Sequence, residues 1–132
     1  MAEIVSQSIL DIIRSDHSRV MTSLDELAAT TPAADVSNRF ATVEKDLIGH
    51  MHAEEKIFYP RLERELRNSI TNARAEHDQV RQMLRELKGM QIDDRWVARL
   101  ESMRLAIKEH IVKEEGPLFD AAAKMFSTDE LF

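Results

Sequence analysis

Apolar residues recur along the chain at steps of three and four in four long segments. This spacing places them on one face of an α-helix, because an α-helix completes a turn in about 3.6 residues. The four stripes are Leu10, Ile13, Val20, Leu24 and Leu27; Val36, Phe40, Val43, Leu47 and Ile57; Ile70, Val80, Leu84 and Leu87; and Trp96, Leu100, Met103 and Ile107. The pattern predicts four helices that each bury one stripe in a common core.

Residues that begin, bend or end helices divide these segments. Pro60 predicts a kink with helix resuming through Arg67, and short connections favour antiparallel neighbours. The other signals are Thr31-Pro32, Asn68-Ser69 and Asp93 or Asp94 as starts, Gly89 as a C′ residue, and a break at Gly116-Pro117 before a short helix over 118–126. We predict an all-α, up-down-up-down antiparallel four-helix bundle with a short C-terminal helix, forming a single domain over residues 1–132.

Composition narrows the classes of protein and of site. The 132 residues include no Cys, which excludes disulfides, thiolate metal sites and cysteine nucleophiles. The net charge is −6 with Lys and Arg scattered among acids, so we expect no nucleic-acid partner. No segment approaches the roughly 18 apolar residues of a membrane span, and no signal peptide is evident. We therefore expect a soluble, cytoplasmic protein without a membrane partner.

The sequence repeats itself with an offset of 60 residues. Residues 15–27 align with residues 75–87, matching His17 with His77 and Leu24 with Leu84. Residues 50–55 align with residues 110–115 in the same register, matching His50 with His110. The first two helices thus mirror the last two, which predicts a pseudo-two-fold axis along the bundle.

Polar residues that can bind metal continue the apolar stripes at the same helical spacing. They are His17, His50, Glu54, His77, His110 and Glu114. Burying ionised carboxylates without compensation costs several kcal/mol each, whereas a cation turns imidazoles and carboxylates into ligands. Residues four apart lie on one face, so each His-x-x-x-Glu can offer a nitrogen and an oxygen to one site. The two-fold repeat then predicts two metals, each receiving two His, with Glu54 and Glu114 bridging them.

The donor types indicate which metal these residues prefer. Nitrogen and oxygen donors with bridging carboxylates and open positions suit iron, with manganese next, whereas structural zinc prefers closed tetrahedral sites. We therefore expect two non-haem iron ions, with an oxo, hydroxo or water bridge between them, and regard manganese or zinc as the less favoured alternatives.

The arrangement of these motifs resembles the hemerythrin-like family, also called the HHE cation-binding domain family. The matching blocks cover roughly residues 5–125: Ser15-Asp16-His17; His50-Met51-His52-Ala53-Glu54-Glu55 with Phe58-Tyr59-Pro60; Ala75-Glu76-His77; and His110-Ile111-Val112-Lys113-Glu114-Glu115. The resemblance implies a helical bundle with a carboxylate-bridged di-iron centre that binds or reacts with dioxygen, nitric oxide or peroxide.

Two departures separate this chain from the oxygen carriers of that family. The carriers have a further histidine where this chain has Ala73, and an aspartate where it has Glu115. The set of four His and two Glu is closer to bacterial members, which favours reaction with gas or peroxide in oxidative or nitrosative stress or iron handling. Turnover would require an electron donor that the sequence does not identify. The alternatives are a reversible oxygen-binding store or sensor without turnover, and a structural bundle with adventitious metal.

Other polar and aromatic residues near these motifs have weaker assignments. His52 is predicted to face solvent. Glu55 and Glu115 are interpreted as surface carboxylates, with partners of the histidine Nδ1–H groups or of water as the alternative. Tyr59 is assigned to packing or to the surface, with a redox or hydrogen-bonding role near the site as the less favoured alternative. Phe58 and Leu118 lie four residues after the bridging glutamates, where they are predicted either to exclude water from the metals or to pack in the core.

Overall fold

The computed structural model describes residues 8–30 and 33–125, in which all regular structure is helical. Four long helices and a short last one follow each other along the chain, as predicted for an all-α bundle. They are α1 (Ile9–Ala28), α2 (Ala33–Ala53), α3 (Arg67–Gly89), α4 (Asp94–Lys113) and α5 (Phe119–Met125). None of these helices combines the length and apolar character that a bilayer crossing requires.

The long helices form an antiparallel ring in which α1 contacts α2 and α4, and α3 contacts the same two helices. The end of α3 meets the start of α4, where the Trp96 indole N–H donates to the Leu87 carbonyl over 3.1 Å. On the surface, Arg104 of α4 forms an ion pair with Asp25 of α1 at 2.5 Å. The predicted antiparallel four-helix bundle is therefore confirmed.

The apolar core consists of two clusters. The larger contains Leu24, Leu84 and Trp96 at the end of the bundle where α1 and α3 finish. The smaller contains Leu10, Ile70 and residues that follow α2 and α4. Between the two clusters, each long helix contributes a histidine to a polar layer: His17, His50, His77 and His110. The bundle thus encloses polar side chains midway along an otherwise apolar interior.

A π-helical segment extends each of the two helices that carry a His-x-x-x-Glu motif. Glu54–Phe58 follows α2, and Glu114–Leu118 follows α4. Each is closed by an N–H that donates to the carbonyl five residues earlier, from Tyr59 to Glu54 and from Phe119 to Glu114. Pro117 lies within the second segment, and Pro60 lies two residues after the end of the first. Because proline cannot complete an α-helical bond to residue i−4, the wider turn is favoured there.

These segments correct the predicted effects of both prolines. Gly116-Pro117 does not end the helical structure, because the π turn leads directly into α5. Helix α5 spans most of the range 118–126 that was predicted for the short last helix. After Pro60 the helix ends at Leu62 rather than continuing through Arg67. A turn follows in which the Leu66 N–H donates to the Leu62 carbonyl over 2.8 Å, and Arg67 begins α3.

The wider π turn also changes which side chains face the core. Residues i and i+5 lie above one another in a π turn, as residues i and i+4 do in an α-helix. Ile57, predicted to continue the apolar stripe of α2, is 56% exposed, whereas Phe58 and Tyr59 are buried. The prediction for Ile57 was wrong because it assumed unbroken α-helical spacing.

The remaining boundary predictions have mixed outcomes. Asp93 caps α4 by accepting the Arg95 and Trp96 backbone N–H groups, as predicted. Asn68-Ser69 does not cap α3, whose N-cap is Leu66 without a side-chain hydrogen bond. Gly89 is the last residue of α3 rather than its C′ residue, because Met90 forms the extended C-cap. Thr31-Pro32 lies outside the described residues.

Candidate metal centre

The fold brings together the six residues that the sequence singled out. His17, Glu54, His77, His110 and Glu114 are between 2% and 7% exposed, and the His50 side chain is 9% exposed. They form two groups in which the candidate ligand atoms all lie within 4.8 Å of one another. These groups are His17, His50, Glu54 and Glu114, and Glu54, His77, His110 and Glu114. Both glutamates belong to both groups, which is the arrangement that bridging carboxylates require.

The Glu114 carboxylate spans the two groups with one oxygen toward each. Its Oε1 lies 3.1 Å from His17 Nε2, and its Oε2 lies 3.2 Å from His110 Nε2. The Oε1 atom of Glu54 lies 2.9 Å from His50 Nε2 and 3.2 Å from His77 Nε2. Each glutamate therefore contacts one histidine from each half of the repeat.

Several of these atoms approach each other without forming hydrogen bonds. The Nε2 atoms of His17 and His50, both oxygens of Glu54 and the Oε1 atom of Glu114 are buried and have no hydrogen-bond partner among the described residues. Buried acceptors without a donor are costly, and polar atoms converging on one point without hydrogen bonds are typical of ligands around a cation. The donor set therefore fits two metal ions.

A carboxylate on a neighbouring helix fixes the other nitrogen of each histidine. The Nδ1–H of His17 donates to Glu115 over 2.6 Å, and that of His77 donates to Glu55 over the same distance. His110 Nδ1 lies 2.8 Å from Glu76, and His50 Nδ1 lies 3.5 Å from Asp16. A proton held on Nδ1 leaves Nε2 free for a metal, which is the usual outer arrangement around ligating histidines.

These contacts obey the pseudo-two-fold repeat. The pair His17 and Glu115 corresponds, with the offset of 60 residues, to His77 and Glu55. Of the two interpretations of Glu55 and Glu115, the favoured one as surface carboxylates was therefore wrong, and the alternative as partners of the histidines is confirmed. In the other two contacts, Asp16 corresponds to Glu76. Neither residue was predicted to have a role in the site, although an acid directly precedes a histidine in both halves of the repeat. That repeated acid-His pair is the signal that could have identified them.

Basic side chains hold two of these outer carboxylates. Arg81 donates to both oxygens of Glu55 at 2.8 Å, and Lys113 donates to Glu76 at 2.7 Å. Burial alone would raise the pKa of Glu55, but the Arg81 and His77 contacts outweigh it and lower that pKa. Glu55 is thus kept ionised as the acceptor of the His77 proton.

The two central glutamates do not share their charge equally in the metal-free protein. Burial and the neighbouring Glu114 carboxylate raise the pKa of Glu54 well above its ordinary value. Burial would also raise the pKa of Glu114, but Glu54, His110 and His17 counteract it and hold that pKa low. Two carboxylates in contact in a dry interior resist simultaneous ionisation, and a bound cation removes that resistance.

Tyr59 lies in the centre, contrary to its predicted packing or surface role. Its side chain is fully buried, and its hydroxyl donates to Glu114 Oε2 over 2.5 Å. The Tyr59 hydroxyl oxygen also lies 3.2 Å from His77 Nε2 and 3.5 Å from His110 Nε2. Helical spacing did not predict this position, because the π turn directs Tyr59 to the face that Glu54 occupies.

His52 is exposed, as predicted. Phe58 and Leu118 are buried in the smaller apolar cluster beside the polar layer, which confirms that they pack in the core. Their exclusion of water from the metals stays a prediction. A surface cleft of about 510 Å³ reaches the edge of this layer, and its lining includes Asn72, Ala73, His110, Lys113 and Glu114. Ala73, at the position of the carriers' additional histidine, therefore leaves open space rather than another ligand.

Fold and site together define a helical cation-binding bundle. The sequence model of the hemerythrin HHE cation-binding domain matches residues 8–122, so the chain belongs to that family. A DNA nickase of Nostoc sp. strain PCC 7120 is 26% identical over 125 residues, an alignment that covers 93% of this chain and 36% of the nickase. The chain thus spans about a third of the length of that relative.

Acid is expected to destabilise the metal-free protein through His77. Burial and the nearby His110 lower the pKa of His77 to about 4, whereas an imidazole in the unfolded chain titrates near pH 6.5. The unfolded chain therefore binds more protons between these values. The contribution of neutral His77 is complete above pH 6.5 and is lost as the pH falls to about 4, by at most about 3 kcal/mol.

Urea unfolding of the metal-free protein at pH 7 and at pH 4.5 measures this effect. The His77→Gln variant serves as the control, because it retains every other titrating group. We expect the wild-type protein to lose more stability than the variant over this interval. Equal losses would show that His77 is not held neutral by its surroundings.

Proposed function

We propose that residues 1–132 fold as one domain that holds a non-haem di-iron centre. His17 and His50 would hold one iron, His77 and His110 the other, and Glu54 and Glu114 would bridge them. The observation that carries this proposal is the convergence of buried, unpaired nitrogen and oxygen atoms on two adjacent positions. Membership of a cation-binding family supports it.

Iron is the metal that this donor set favours. Four imidazoles and two carboxylates form a nitrogen and oxygen set of intermediate softness, which also accepts manganese. The carboxylates are shared between the two positions, whereas a closed tetrahedral zinc site would need four donors of its own. The bridging geometry of Glu54 and Glu114 therefore favours a pair of redox-active ions over structural zinc.

The reaction that we propose is the binding or turnover of dioxygen, nitric oxide or peroxide, in oxidative or nitrosative stress or iron handling. Bound iron supplies the electrons and the affinity for these small molecules. Carboxylates on neighbouring helices hold the four imidazoles in position. Phe58 and Leu118, which are buried beside the polar layer, would limit the access of water. The runner-up function is a reversible oxygen store or sensor.

Optical spectra of the anaerobic iron(II) protein test this function. After addition of air, nitric oxide or peroxide, we expect an iron-dependent absorption change that the zinc-loaded protein lacks. Immediate oxidation with consumption of peroxide supports turnover, and a persistent oxygen-dependent band supports the store or sensor. An iron-loaded protein whose spectrum responds to none of the three would contradict both functions.

We do not extend DNA nicking to this chain. The name belongs to a protein of which this chain covers only 36%. Binding to a phosphate backbone relies on Lys and Arg, whereas this chain carries a net charge of −6. A plasmid nicking assay with the iron-loaded protein is expected to show no cleavage above that of the metal-free protein.

A further inference from the structure

The Tyr59 hydroxyl occupies a place among the candidate ligand atoms of one half of the centre. Its oxygen lies 2.5 Å from Glu114 Oε2, 3.2 Å from His77 Nε2 and 3.5 Å from His110 Nε2. Donors that bind one metal at about 2.1 Å lie about 3 Å apart when they are adjacent. The three contacts are therefore those of a neighbouring ligand rather than of a residue that only packs against the site.

Hydrogen bonding alone leaves an acceptor beside this hydroxyl without a donor. The hydroxyl has a single hydrogen, which it donates to Glu114. The Nδ1 atom of His77 lies 2.6 Å from Glu55, so its proton is held there and its Nε2 atom faces the hydroxyl as an acceptor. One hydroxyl hydrogen can satisfy either Glu114 or His77, but not both. A cation placed among them satisfies both acceptors and the phenolic oxygen together.

The half of the metal centre formed by His17 and His50 lacks an equivalent hydroxyl. Phe119 stands 60 residues after Tyr59 and is equally buried, at 1% exposed. Arg74 lies over the Tyr59 ring at 5.7 Å, and Arg14 lies over the Phe119 ring at 5.0 Å, so the two aromatic rings occupy equivalent places. A phenyl ring is therefore sufficient for packing there, and the hydroxyl is an addition specific to the half of the metal centre formed by His77 and His110.

We propose that the Tyr59 phenolate is a further ligand of the metal held by His77 and His110, which makes the two metal positions unequal. This proposal rests on the proposed di-iron function. Metal binding replaces the O–H bond with an oxygen–metal bond and releases one proton to solvent, with no electron transfer. The half with His77 then offers five protein donors and the half with His17 offers four. External small molecules are accordingly expected to bind at the half with His17 and His50.

The chain offers a direct spectroscopic test, because Tyr59 is its only tyrosine. In the iron(III)-loaded protein we expect a visible phenolate-to-iron charge-transfer band and tyrosinate vibrations in the resonance Raman spectrum. In the zinc-loaded protein, which has no redox chemistry, we expect the ultraviolet difference spectrum of one ionised tyrosine per chain at neutral pH.

The Tyr59→Phe variant is the matched comparison, since Phe119 shows that the fold accepts phenylalanine in the equivalent place. We expect it to retain two irons per chain and to lose the charge-transfer band completely. Adding Phe119→Tyr to this variant is expected to restore the band from the other half. Wild-type protein that binds two irons without any tyrosinate signal would overturn the ligand proposal and leave the di-iron centre standing. Wild-type protein that binds no iron would overturn both.

Discussion

Replacing Glu54 by glutamine is expected to abolish binding of both metals while stabilising the metal-free protein. Glu54 contacts a histidine from each half of the centre, so its loss as a carboxylate affects both positions. In the metal-free protein its charge is buried, which raises its pKa well above the ordinary value and opposes folding at neutral pH. Glutamine is neutral in both the folded and the unfolded chain, so it removes this cost without changing the shape of the side chain.

The amide of glutamine also suits the metal-free site. The Nε2 atoms of His50 and His77 lie 2.9 Å and 3.2 Å from Glu54 Oε1, and an amide NH₂ in that position can donate to both. We expect the free energy of unfolding of the metal-free variant to rise by about 1–3 kcal/mol. Urea unfolding after chelation, together with elemental analysis after iron loading, measures the two effects.

Glu109→Gln is the matched control for this experiment. Glu109 is exposed on α4, so the variant makes the same change of charge outside the centre. It is expected to retain both metals and the stability of the parent protein. A Glu54→Gln variant that keeps two irons, or that is less stable than the parent without metal, would contradict the bridging role of Glu54.

Replacing His77 by alanine is expected to lower the iron content and the thermal stability together. The variant loses a candidate ligand of one metal and leaves the Glu55 carboxylate without its imidazole partner. A metal present at a thousand times its dissociation constant stabilises the folded chain by about 4 kcal/mol. We therefore expect the iron content to fall from two to one or fewer per chain, and Tm to fall by about 10 °C or more in iron-loaded protein.

The exposed His52 provides the control for His77. His52→Ala removes an imidazole from the same protein without touching the polar layer. Its iron content and Tm are expected to match those of the wild type. If His77→Ala behaved like His52→Ala in both measurements, His77 would not be a ligand.

The helices and their buried faces could be predicted because a continuous α-helix has a fixed spacing. Leu24, Leu84 and Trp96 were placed in the core by that spacing alone, and they are buried. The same spacing, carried across two repeats, brought His17 and His77 to the interior. Sequence was sufficient there because each residue's direction depends only on its position within a regular helix.

The errors arise where the helix stops being regular or where the partner is distant in sequence. The π turn after Ala53 turns Ile57 out and Tyr59 in, and nothing in the apolar pattern marks the change in hydrogen bonding from i+4 to i+5. Glu115 contacts His17, a residue 98 positions away, so its role depends on how α1 packs against α4. Such contacts follow from the tertiary arrangement and not from local spacing.

The most direct test of this account is the metal content of the wild-type protein, measured by elemental analysis after anaerobic loading with iron(II) and removal of unbound metal. The paired sets of buried donors predict two irons per chain, falling to none in Glu54→Gln and remaining at two in His52→Ala. A wild-type protein that retains no iron under these conditions, or that binds as much iron as its Glu54→Gln variant, would contradict the account.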